Sequence, residues 1–165
     1  MTPAVDIDTL LAAAKILAGA PVWVKDERGT VVKLAVPVAQ SGVVGGLILQ
    51  AGATLHTEPQ RGAFVLVFEG RPIQRLSFKP DHGHANPPSR TIPQEFRGRR
   101  LPPGLSRMHH WSLNRIWPRP ISDNVAVATL VHPEPSSLEA AVTIFLRACC
   151  IEGDLPPPPW EPRLL

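Results

Sequence analysis

AFVLVFEGRPIQRLSF, residues 63–78, is the stretch whose reading decides the fold. Ala63 to Phe68 and Ile73 to Phe78 are strand-forming runs flanking Glu69, Gly70, Arg71 and Pro72, so the segment reads as a β-hairpin whose return strand carries Arg75. Upstream, Val22 to Lys25 and Val31 to Val36 are β-branched runs joined across Asp26, Glu27, Arg28 and Gly29, a second hairpin. Val43 to Leu49 contains Gly45 and Gly46 and reads as a strand with a bulge or a close backbone approach. Downstream, Met108 to Arg115 and Val125 to Val131 read as strands re-entering the sheet.

Helices bracket these strands. Ile7, Leu10, Leu11, Ala14, Leu17 and Ala18 recur at helical spacing behind a capping Asp6, with Gly19 and Pro21 as the stop. Ser136, Ser137, Leu138 and Glu139 form a capping box, and Leu138, Ala141, Val142, Phe145 and Cys149 trace one apolar stripe running to about Ile151. The order helix, strands, helix predicts an α+β fold: an antiparallel sheet of about six or seven strands with the N-terminal and C-terminal helices packed on one face. Residues 1–155 read as a single domain, with a Pro-rich loop over 79–106 and an extended Pro-rich tail over 156–165. A loop that long is functional or disordered far more often than a plain connection.

Charge points to the loop. Between Arg71 and Arg119 lie ten of the 17 Lys and Arg residues and only two of the 14 acids, Asp81 and Glu95, a net charge of +8 against −5 for the rest. A basic belt on an acidic body suits a phosphate-rich partner, RNA or single-stranded nucleic acid. The adjacent Cys149 and Cys150 read as core residues in a reducing, cytoplasmic setting. Asp6 and Asp8 interrupt any secretory signal, and no apolar run approaches the roughly 20 residues of a membrane span, so no membrane partner is expected.

Four of the six histidines, His82, His84, His109 and His110, share the belt. Paired imidazoles beside guanidinium groups suit RNA cleavage by transphosphorylation: one imidazole takes the 2′-hydroxyl proton, another protonates the leaving oxygen, and arginines stabilise phosphorane charge. That chemistry needs no metal and no cofactor, and the scarcity of acids disfavours a magnesium site. A zinc reading through His82, His84 and His110 stands behind it, because the set has no Cys partner and no obvious carboxylate support. Since neighbouring strand residues face opposite ways, only one of His109 and His110 can face the site. The polar face shared by His110, Ser112 and Asn114 favours His110.

The catalytic set expected from the sequence is therefore His84 as acid or base, His82 or His110 as its complement, Arg75 and Arg115 clamping phosphate, and Asn86 orienting an imidazole. Arg97, Arg99 and Arg100 form the densest charge run and, with Arg107 and Arg115, would bind nucleic-acid phosphates. Trp111 and Trp117, interleaved with Arg107, Arg115 and Arg119, would stack on unpaired bases.

Arg75-Leu76, His84-Ala85-Asn86-Pro87, His109-His110 and the C-terminal Phe145, Leu146 and Cys149 together resemble a small bacterial and phage family. Its core reads Arg-Leu-Asp, a glycine, His-x-Asn-Pro, then a His-x-His strand and a final helix. The likeness spans roughly Arg71 to Glu152 and departs at Ser77, where the family has Asp, and at the adjacent His109 and His110. The site style is also similar to RNA-cleaving toxins of toxin–antitoxin pairs, which implies a small endoribonuclease and a protein antidote. The rival expectation is a non-enzymatic phage-type inhibitor that blocks a host defence complex, with the Arg97 to Arg100 loop as its recognition element.

Overall fold

The computed structural model describes residues 5–115 and 125–161. Trp117 and Arg119 lie outside the described residues. The described chain runs α1 (Ile7–Ala12), β1 (Lys15–Leu17), β2 (Val24–Lys25), β3 (Val31–Gln40), β4 (Val43–Thr54), β5 (Gly62–Phe68), β6 (Arg71–Phe78), β7 (His84–Ala85), β8 (Arg100–Leu101), β9 (Arg107–His109), α2 (Trp111–Asn114), β10 (Thr129–Leu130), α3 (Leu138–Ala148) and β11 (Ile151–Glu152).

The class is α+β, and the sheet is larger than expected. Nine strands join in the order β10-β9-β6-β5-β4-β3-β1-β11, with β2 pairing on β3, and β7 and β8 form a separate ribbon. The sheet is mixed rather than wholly antiparallel, because β1 runs parallel to β11. Its centre is the meander β3-β4-β5-β6. Glu69 and Gly70, at φ 48° and 78°, make a two-residue turn between β5 and β6, the mirror-image turn whose twist matches paired strands.

Alternation along β3 buries Val32, Leu34, Val36 and Val38 and leaves Lys33, Ala35 and Pro37 on the opposite face. The buried face continues through Leu49, Phe64, Leu66 and Leu76 and is covered by α3, whose Leu138, Ala141, Val142 and Phe145 join the same core. Phe64 and Phe145 stack at 6.0 Å between ring centroids. Gly62 permits this approach, since a Cβ there would sit 2.7 Å from Leu138 Cδ1. Ser137 caps α3, its hydroxyl accepting from the Ala140 N–H.

Three expected elements are corrected. The first helix ends at Ala12 instead of Ala18, because Lys15 to Leu17 pair with both β3 and β11, and that pairing overrides the helical spacing. Residues 108–115 do not form one strand: β9 stops at His109, and Trp111 to Asn114 turn into α2 with His110 as its N-cap. The expected strand over Val125 to Val131 shrinks to Thr129–Leu130.

The long loop is folded back on itself. His84 pairs with Leu101 and Ala85 with Arg100, Gly104 N–H donates to Pro80 O at 2.7 Å, and Ile92 is fully buried. The Pro-rich tail returns along the body, with Trp23 Nε1–H donating to Pro156 O at 2.7 Å and Lys25 pairing with Glu161 at 2.6 Å.

Candidate cationic site

Register places the site. Across the sheet, Val65, Arg75 and His109 stand directly opposite one another on β5, β6 and β9, and Ala63, Ser77 and Arg107 form the adjacent row. Residues opposed in this way share a sheet face. These rows belong to the face that α3 leaves open. Arg75 and Ser77 line a surface cavity of about 290 Å³ together with Arg61, Asp81 and His82. Arg107, at 2% exposure, and His109, at 4%, are buried at its side.

Residues 125–128 fix the imidazoles. This extended run has no strand ladder, and side chains take its four successive carbonyls. His109 Nδ1 meets Val125 O at 2.6 Å, His84 Nε2 meets Ala126 O at 2.9 Å, and the side-chain amides of Asn114 and Asn86 donate to Val127 O and Ala128 O, each at 2.9 Å. A carbonyl only accepts, so each histidine carries its proton on the bonded nitrogen. The lone pairs are therefore on His109 Nε2 and His84 Nδ1. The two rings meet edge to face at 5.2 Å.

Asn86 supports the arrangement. Its Oδ1 accepts from Ala128 N–H at 2.9 Å and from His84 Nε2 at 3.1 Å, and its amide also donates to Phe96 O. It ties the loop to residues 125–128 and orients His84, the role expected of it. His82 stands at the exposed rim, with Nδ1 at 2.9 Å from Asp81 Oδ1 and Nε2 at 3.3 Å from Arg107 Nη2.

The electrostatics are one-sided. Burial holds the Arg75 guanidinium below its ordinary range, and burial followed by the charge of Arg75 does the same to Arg107. Burial and then Arg75 push His109 down to about 3. His84 is also lowered, by burial first, and the Ala126 bond only partly offsets it. Among the described residues no carboxylate acts on any of these four groups. Arg75 Nε, Arg107 Nε, Ser77 Oγ and His109 Nε2 are all buried without a hydrogen-bond partner among the described residues. Three of these can donate, Arg75 Nε–H, Arg107 Nε–H and Ser77 Oγ–H, while His109 Nε2 carries a lone pair and only accepts, so the two registered rows leave three buried donors open to an acceptor.

His109 makes stability depend on pH. The unfolded chain binds a proton near pH 6.5, whereas the folded chain resists it down to about 3. Stability is therefore complete above pH 6.5 and falls as pH drops toward 3, by up to about 5 kcal/mol. Urea titrations between pH 7 and 4 should show this loss. His109→Gln, which keeps a donor for Val125 O and does not titrate, should flatten the dependence; an unchanged slope would place its origin elsewhere.

Several expected residues lie apart from this cluster. His110 caps α2 and is held by its own main-chain contacts with Leu113 and Asn114, so it is His109 that faces Arg75. Arg115 pairs with Asp8 at the surface near α1. Trp111 is buried in the core, where its backbone N–H donates to Gln74, so it presents no face for a base. The Arg97 guanidinium donates to Ile92 O and Arg90 O and braces the loop from within. Arg99 and Arg100 are exposed on the loop. Among the described residues no three His, Cys, Asp or Glu side chains converge as metal ligands, so the zinc set of His82, His84 and His110 is not assembled. Cys149 is buried, and desolvation raises its thiol to about 12, as a core cysteine requires.

In the sequence Ser77 stands out only as a departure from the family pattern, and His109 is set aside in favour of His110. The signal for His109 was the two-residue spacing from Arg107, which places both on one strand face. Comparisons with family models, with curated proteins and with solved structures returned no match.

Proposed function

We propose that this protein is a metal-independent endoribonuclease that acts on single-stranded RNA, a small RNA-cleaving protein of the toxin-like kind. The observation that carries the reading is the cluster of Arg75, Arg107 and Ser77, whose buried donors have no acceptor among the described residues, with His109 and two further imidazoles beside it. A phosphodiester offers unprotonated oxygens to Arg75 and Ser77 in the open cavity, and Arg107 adds charge from behind.

In this mechanism neutral His84, its N–H committed to Ala126 O, receives the 2′-hydroxyl proton at Nδ1. The 2′-oxygen forms a bond to phosphorus while the bond from phosphorus to the 5′-oxygen breaks, and His82, entering as the imidazolium with its Nδ1–H held by Asp81, gives its Nε2 proton to the leaving oxygen as Arg107 turns from that nitrogen to the phosphate. The product is a 2′,3′-cyclic phosphate. Burial lowers the affinity of His84 for protons and so favours the basic form needed to start.

Incubation of the purified protein with end-labelled single-stranded RNA tests this. Cleavage to cyclic-phosphate ends should proceed equally with and without chelator and stop when the scissile nucleotide is 2′-deoxy. His84→Gln, which retains a donor to Ala126 O, should lower the rate by roughly 100-fold or more. RNA bound but left intact would leave a nucleic-acid-binding inhibitor in place of an enzyme; RNA neither bound nor cut would remove the reading altogether.

A further inference from the structure

The two registered rows do not end at the cationic cluster. Beyond Arg75 and Val65 the first continues to Gln50 and Ala35, and beyond Ser77 and Ala63 the second continues to Gly52 and Lys33. Between them lies a groove of about 680 Å³ on the open sheet face, floored by Ala35, Gly52 and Ala63 and walled by Val22 and Val24. It shares Gly52 and Ala63 with the cavity that Arg75, Ser77 and His82 line, so the two are continuous.

We propose that this groove is the path of the RNA strand, which crosses the sheet perpendicular to the β-strands, with the scissile phosphate at Arg75 and Ser77, a nucleoside on the Gly52–Ala63 floor and a second phosphate at Lys33. The inference rests on the ribonuclease reading and assigns its substrate subsites. Its first support is charge. The groove lining contains no acid and one cation, Lys33. Lys33 lies three strand spacings, about 14 Å, from the position of Ser77 in its row, so two cationic stations bracket an uncharged floor. That is the charge pattern of a nucleic-acid strand, with phosphates at intervals and neutral nucleosides between them.

The second support is the floor. Gly52 sits in extended backbone, and a Cβ there would meet only Val32 O at 3.9 Å, so folding places no demand for glycine at this position. What the bare position provides is depth. Gln50 is exposed beside it and supplies an amide able to pair with a base edge. Lys33 also faces Asp26, whose carboxylate accepts the N–H groups of Thr30 and Val31 in the adjoining turn.

Binding of a single-stranded thymidine deoxytetranucleotide, which lacks the attacking hydroxyl, and of inorganic phosphate provides the test. Gly52→Ile suits a strand, fills the floor and has no ring on which a base could stack. It should weaken tetranucleotide binding roughly ten-fold or more, and by more than it weakens phosphate binding. Lys33→Ala should weaken the tetranucleotide and reduce the slope of its salt dependence by about one. Unchanged tetranucleotide affinity in both variants, with RNA still cut by the wild-type protein, would overturn the path and leave the ribonuclease reading standing. Failure of the wild-type protein to bind either probe would overturn both. Binding of an acidic, valine-rich peptide without binding of the tetranucleotide would overturn the path in favour of a protein occupant.

Discussion

Lys15→Met is expected to destabilise the protein by about 3 to 5 kcal/mol, a third or more of the total stability of an ordinary domain. Lys15 is 1% exposed, and its ammonium donates to Leu11 O at 2.9 Å, Ala13 O at 2.6 Å and Cys149 O at 2.8 Å. These carbonyls lie where α1 and α3 run out, where helix geometry leaves oxygens unpaired and partial negative charge accumulates. Burial lowers the affinity of the amine for its proton, yet three acceptors in place of a carboxylate keep the charge satisfied. Methionine retains the stem and its packing, so the cost comes from three buried oxygens left without donors. Urea titration near neutral pH measures the effect. A change below about 1 kcal/mol would mean that water replaces the ammonium there.

None of this was legible in the sequence, where Lys15 falls within the run that reads as the first helix. The contrast with the hairpin of β5 and β6 is instructive. Its alternation, its Glu69-Gly70 turn and its apolar face are local properties, and so is the capped stripe of α3; each survives in the structure. The missed elements depend on partners far along the chain. Lys15 to Leu17 become a strand because β11, more than 130 residues away, lies beside them. β9 ends at His109 because α2 begins at Trp111, whose ring enters the core and whose N–H meets Gln74. The basic belt was visible as composition, but which of its groups converge depends on register. Arg75, Arg107 and His109 are brought together by β6 pairing with β9, and His84 by the carbonyls of residues 125–128. Arg97 and Arg115 fall away for the same kind of reason, since backbone oxygens and Asp8 engage them first.

Arg75→Met should lower RNA cleavage by roughly 1000-fold and at the same time raise stability by about 1 kcal/mol. The two effects have one cause. Arg75 places a desolvated charge beside Arg107, His84 and His109, lowers the proton affinity of all three and has no acceptor for its Nε among the described residues. On the proposed mechanism a phosphate relieves each of these costs, so that their relief becomes affinity for the anion and for the extra charge of a phosphorane. Methionine fills the same volume and removes the charge. Two measurements separate this account from a merely structural role for the residue. The melting temperature of the variant should rise by a few degrees, and His109, held at about 3 by burial and by Arg75, should take up its proton at a higher pH in an NMR titration. Phosphate should no longer stabilise the variant against heat. A fall in melting temperature, or cleavage left intact, would show that Arg75 is kept for the fold and that the anion binds elsewhere.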